Sequence, residues 1–180
     1  MRWKQIITED QPRRKHDESI TKWIAAAKAR PDADELYIHG SRHLFSHFTD
    51  PDTSIGKLIF ASKLTKESHP RYQDEAYQAE YYGPYLYLAK IHFKKMFRPY
   101  SDPKSKEIMT AALFHQKDSP VWDFEEKIKW GRLDYQDLHL VVPPAVAAGY
   151  DLFRVYEVSI SGESYGAIKG SMIEIVDRLD

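Results

Sequence analysis

The chain has 180 residues, with 26 basic and 27 acidic side chains for a formal net charge of −1, and it contains no cysteine. Disulfides, thiolate metal sites and a cysteine nucleophile are therefore excluded, and no global field draws the chain to nucleic acid or an anionic membrane. At ~150 residues per domain the length predicts one domain, spanning 1–180, that buries roughly 70% of its unfolded surface without covalent staples.

The opening Met1-Arg2-Trp3-Lys4-Gln5-Ile6-Ile7 is too polar for a signal peptide. The longest apolar runs, such as Val141 to Ala148, fall short of the ~20 residues a membrane helix requires. A soluble, cytoplasmic protein is expected. Aromatic residues make up 13% of the chain, with 12 tyrosines. A tyrosine has a flat apolar face and a polar tip, which suits a planar ligand and equally a half-wet core.

Residues 1–16 are charged and carry Pro12, and are expected to form a loose arm. Asp17 is a plausible N-cap for a helix in which Ile20, Trp23, Ile24 and Ala27 follow amphipathic spacing, closed by Pro31. Leu36 to His39 reads as a short strand ending in glycine. Leu44, Phe45 and Phe48 give residues 43–49 a helix-like apolar pattern, broken by Asp50-Pro51-Asp52. Lys57 to Ala61 is a second strand, Lys63 to Tyr72 a surface loop, and Asp74 to Tyr82 a helix with Tyr77 and Tyr81 on one face.

Residues 85–97 alternate Tyr85, Tyr87, Ala89, Ile91 and Phe93 against Lys90, His92 and Lys94, the period of a half-buried strand. Ser101-Asp102-Pro103 starts a helix running to Gln116, and Ser119-Pro120 starts another ended by Gly131. Residues 101–140 form a helical insertion on this reading. Pro143-Pro144 precede a short helix that stops at Gly149. Leu152 to Val158 is a strand, Ser161-Gly162-Glu163 a turn, Tyr165 to Ile168 the returning strand, and Ile173 to Val176 a last one. The pattern is α+β, with peripheral helices around a mostly antiparallel sheet.

A glycine directly after a strand lets a planar ligand approach the backbone, because no Cβ intervenes. His39-Gly40-Ser41 thus offers two backbone hydrogen bonds, an imidazole and a hydroxyl to one polar group. Lys90, Lys94, Lys95, Arg98, Lys104 and Lys106, opposed only by Asp102, form a local basic run, for which a solvated face is the commoner outcome. His43 and His47 lack an HExxH context, so no metal site is expected.

The order Leu36-Tyr37-Ile38-His39-Gly40-Ser41-Arg42, then Gly56 to Ala61, then Ala79-Glu80-Tyr81, resembles the poly(ADP-ribose)-polymerase and diphtheria-toxin-like ADP-ribosyltransferases. Gly149-Tyr150-Asp151, the strand to Val158 and Ser164-Tyr165-Gly166-Ala167-Ile168 extend the resemblance. The C-terminal layout is most similar to ADP-ribosyltransferases of bacteriophages and mobile elements. The resemblance implies a split, mostly antiparallel sheet that cleaves the nicotinamide–ribose bond of NAD and transfers ADP-ribose to a macromolecular, protein acceptor. NAD is then the substrate and no metal is required. The implied NAD-binding residues are His39, Gly40, Ser41, Arg42, Phe60, Tyr81 and Tyr82.

Two departures stand out. Ile59 occupies a position where the polymerases carry a tyrosine, and Ser164 stands where they carry the catalytic glutamate. Glu163 lies one residue earlier, and a one-residue shift in a strand reverses the face. Glu157, in line with Phe153 and Val155, is the rival. Either would stabilise an oxocarbenium-like ribose, as carboxylates do in glycoside hydrolysis. A catalytically inactive binding module and an NAD glycohydrolase are the competing functions.

Overall fold

A computed structural model describes residues 18–64, 85–114, 132–157 and 162–179. Helix α1 (Glu18–Lys28) is followed by strand β1 (Leu36–Ser41), β2 (Ile59–Lys63), β3 (Tyr85–Ile91) and the short β4 (Met96–Phe97). Helices α2 (Pro103–Phe114) and α3 (Leu138–Ala147) come next, then β5 (Leu152–Glu157), β6 (Gly162–Ala167) and β7 (Ile173–Leu179). The architecture is α+β, and the seven strands join one mixed sheet in the order β4-β5-β6-β2-β1-β3-β7. Among the described residues only the β4–β5 pairing is parallel.

Helix α1 forms where the amphipathic spacing predicts it. Ile20, Ile24 and Ala27 are buried against Leu36, Ile38, Leu86 and Leu88. Its half-buried Trp23 anchors the far edge, the indole N–H donating to Asp177 at 2.8 Å. Strand β3 lies between β1 and β7, and Leu86, Tyr87, Leu88 and Ala89 are all buried. It is therefore covered on both faces rather than half-buried, which corrects the alternating pattern expected of it. Nor does it run to residue 97. The chain leaves the sheet at residues 92–95, whose side chains are exposed, and Asp151 accepts from the N–H groups of Lys94 and Lys95 at 2.8 and 2.9 Å.

Asp102 caps α2 as its position predicts. Its carboxylate accepts from the N–H groups of Lys104 and Ser105, and Tyr150 donates its hydroxyl to the same carboxylate. These contacts hold the Asp102 carboxyl below its ordinary pKa, the Tyr150 hydroxyl first among them. Pro143 and Pro144 lie inside α3 rather than before it. Two N–H donors are lost there, and burial of Leu138, Val141, Val142 and Ala145 against Phe97, Phe153 and Val155 outweighs that loss. Gly149 ends the helix in the left-handed region at φ 84°.

Cross-strand register puts Ser62, Ser164, Phe153 and Val155 on the same face as Ile38 and Leu88. The helices cover two ends of that face, α1 over β1 and β3, α2 and α3 over β5. Residues 58–62 lie between the two clusters. Gly162 and Glu163, expected in a turn, begin β6 and pair with Glu157 and Tyr156. The loop read from Lys63 to Tyr72 runs beyond the described residues after Leu64, and the tyrosine helix at 74–82 and the helix at 119–131 lie outside them.

Candidate functional site

Strand β1 pairs with β3 along its whole length, from Leu36↔Lys90 to Ser41↔Tyr85. Its pairing with β2 covers only Tyr37↔Lys63 and Ile38↔Ser62. Beyond Ile38 the two strands part, and a cleft of about 540 Å³ opens in the fork. It is lined by His39, Gly40, Phe45, Phe48, Phe60 and Tyr135, among others.

The backbone geometry of the fork follows from strand periodicity. The Leu36 carbonyl accepts from the Leu64 N–H at 2.8 Å, so Leu36 faces β2. Backbone groups alternate sides along a strand, so Ile38 and Gly40 face the same way. Ile38 is matched by Ser62, whereas Gly40 has no register partner on β2. An N–H and a C=O thus meet the cleft at a residue without a side chain.

His39 bridges the fork, its Nδ1 lying 2.6 Å from the Phe60 carbonyl oxygen. A carbonyl only accepts, so Nδ1 carries the proton and Nε2 of the neutral ring is an acceptor. Burial pulls the imidazole below its ordinary value of 6.5, against the opposing effect of the Phe60 hydrogen bond. The ring is therefore held neutral at physiological pH.

Residues 43–49 are not helical. Phe45 stacks on Tyr87 at 4.2 Å between centroids, and Phe48 meets His39 edge-on at 5.0 Å. The Tyr87 hydroxyl accepts from the Phe45 N–H at 2.8 Å and donates to the His43 carbonyl at 3.3 Å. Packing on a buried tyrosine replaces the helical ladder that apolar spacing suggests. The segment is pinned again where Asp50 accepts from the Gly170 N–H at 2.7 Å. A Cβ on Gly170 would overlap the Phe48 carbonyl oxygen, so only glycine permits this approach.

Of the implied site residues, His39, Gly40 and Phe60 line the cleft together. Ser41 and Arg42 follow at the end of β1, where the Ser41 hydroxyl accepts from the His43 N–H at 3.1 Å and Arg42 is exposed. Neither lines the cleft. Tyr81 and Tyr82 lie outside the described residues. Glu157 and Glu163 lie at the turn end of the β5–β6 hairpin, in register with Gly162 and Tyr156. Their side chains are also outside the described residues. Ser164 is buried and lines the cleft with Ser62, opposite which it pairs.

Phe45, Phe48 and Tyr135 were not singled out as site residues in the sequence. The first two stood in the aromatic cluster read as a helix. Tyr135 has no local signal. It reaches the cleft because Gly56, at φ 79°, lets its loop pack directly on the start of α3, where a Cβ would lie 2.5 Å from the His139 nitrogen. Three members of the basic run are engaged by neighbouring side chains. Lys90 bonds Asp32 at 2.8 Å, Lys95 lies over the Tyr150 ring at 3.8 Å, and Lys104 bonds Glu107 at 2.8 Å. Among the described residues no cluster of His, Cys, Asp or Glu is able to hold a metal ion, and no helix is long and apolar enough to cross a membrane.

No protein-family model matches the chain, and no match is found among curated proteins. A solved structure described as the crystal structure of an anti-CRISPR protein is similar over 78% of this chain and 94% of that one, at 14% identity and a TM-score of 0.45.

Proposed function

We propose that the chain is an NAD-dependent ADP-ribosyltransferase, with the ADP-ribosyltransferase layout of its sheet and the nicotinamide end of NAD in the fork between β1 and β2. The observation that carries this reading is the fork itself. Gly40 turns an N–H and a C=O into a cleft walled by rings, which matches a planar ring bearing a carboxamide, one donor and one acceptor on a flat apolar body. The bare Nε2 of His39 accepts from a ribose hydroxyl beside that ring.

Cleavage of the nicotinamide–ribose bond develops positive charge on the ribose, and a carboxylate from Glu157 or Glu163 stabilises it. The ADP-ribosyl group passes to a protein acceptor. The chemistry asks for no metal. Ser164 in the cleft floor, where the polymerases carry glutamate, favours a second reading: a module that binds NAD or a protein without turnover.

Incubation with NAD labelled in its adenylate half, with and without lysate, tests these readings. Transfer predicts a labelled macromolecule and free nicotinamide. Free ADP-ribose alone marks a glycohydrolase, and binding without nicotinamide release marks the inactive module. Absence of both binding and release overturns the assignment.

A further inference from the structure

A second cavity of about 380 Å³ adjoins the cleft, lined by Pro51, Ile55, Lys57, Leu58, Tyr135 and Leu138, among others. The two cavities share Leu58, Phe60 and Tyr135. Phe60 and Tyr135 pack ring on ring at 4.7 Å between centroids, tilted by 58°, and form the divider.

Three observations mark the second cavity as more than a surface dent. It gathers two of the large apolar side chains that the described residues leave exposed, Ile55 at 54% and Tyr135 at 41%. Exposed apolar groups drawn together around a concavity mark a binding surface more often than scattered ones do. Its lining contains Lys57 and His139 and no acidic residue. Unlike Lys90 and Lys104, Lys57 forms no ion pair among the described residues.

We propose that this cavity is a second subsite of the same ligand. Tyr135 is the ring that walls both lobes, and Lys57 is the cation that meets a phosphate and so separates phosphate-bearing ligands from nicotinamide alone. The ligand class is a planar ring extended by a phosphate-bearing remainder. The ring lies in the fork against Phe60 and Tyr135, and the remainder passes Tyr135 toward Ile55 and Lys57. The inference rests on the NAD reading of the fork and adds what that reading leaves open, the route the remainder takes. A lobe with apolar walls and a lysine that forms no ion pair among the described residues strengthens binding of an anion on an apolar body, because the ammonium gains a charge-assisted partner there.

Binding of nicotinamide, nicotinamide mononucleotide and NAD to the full chain tests this. Nicotinamide fills only the fork, the mononucleotide adds one phosphate, and NAD reaches furthest. Lys57→Gln, at an exposed position, is expected to weaken NAD and the mononucleotide by roughly tenfold, with nicotinamide unchanged and the difference shrinking at high salt. Tyr135→Ala is expected to weaken all three by about three- to tenfold, while Tyr135→Phe, which keeps the ring and the fold, retains them. If wild type binds NAD and neither Lys57→Gln nor Ile55→Ser changes its affinity, the second subsite is overturned and the fork assignment stands. If wild type binds none of the three, both fall.

Discussion

The two flanks of β1 behave differently. Toward β3 every residue from Leu36 to Ser41 is paired, and α1 seals that half with Ile20, Ile24 and Ala27. Toward β2 the register stops at Ile38↔Ser62, and the backbone of Gly40 meets a cleft instead of a strand. The same six residues thus contribute a closed ladder on one side and an open one on the other. A complete ladder leaves its backbone groups satisfied and inert, whereas an interrupted one keeps a donor and an acceptor for a ligand. On the proposed function, stability resides on the β3 side and recognition on the β2 side.

The largest expected effect breaks the open side. Glu157→Gln and Glu163→Gln, made separately, should leave NAD affinity intact, and the variant lacking the catalytic carboxylate should lose about 10²- to 10³-fold in nicotinamide release. Full turnover in both would remove the carboxylate from the proposal. On the closed side, Leu88→Ala empties a buried position in β3 and should cost about 2–5 kcal/mol in urea unfolding. Ligand affinity at temperatures where the variant is folded should not change, and a selective loss of affinity would contradict the division.

Gly170→Ala tests the join between the sides. Its Cβ would overlap the Phe48 carbonyl, so the backbone must shift, at about 1–3 kcal/mol by thermal or urea unfolding. Because Phe48 lines the cleft, nicotinamide binding should weaken more than in Leu88→Ala. Equal binding in the two variants would show that residues 43–49 do not shape the site.

The smallest effect is the pH response of His39. Its folded pKa is lowered by burial below 6.5, so about a unit or more above 6.5 both folded and unfolded states are neutral and the group contributes no pH dependence. As pH falls below 6.5 the unfolded state takes up a proton first, and stability declines by at most about 1.4 kcal/mol per pH unit for one proton. Comparing the melting temperature of wild type and His39→Gln from pH 7 to 5 isolates this slope. A variant with an unchanged slope would assign the titration elsewhere.

Part of this molecule is legible in one dimension because the signal is local. The spacing of Ile20, Trp23, Ile24 and Ala27 specifies α1, and Asp102 before Pro103 specifies the start of α2. A glycine closing Leu36-Tyr37-Ile38-His39 specifies a residue without a side chain, which the structure places at the cleft. Other readings failed where tertiary packing competes with local preference. Leu44, Phe45 and Phe48 have helical spacing, yet stacking on Tyr87 and the tie from Gly170 to Asp50 hold the segment in an irregular, non-helical course. Pro143 and Pro144 oppose a helix, yet burial of α3 against β5 carries them inside one.

The sequence by itself determined α1, the start of α2, the absence of cysteine chemistry and the residues of the glycine strand, since each depends on neighbours a few positions away. The tertiary structure alone decided where β1 parts from β2 and that Tyr135 stands 75 positions beyond Phe60 in the chain yet 4.7 Å from its ring. Such contacts depend on which strands pair and where the pairing stops. That is set by the burial of whole faces, and it leaves no periodic trace in the chain.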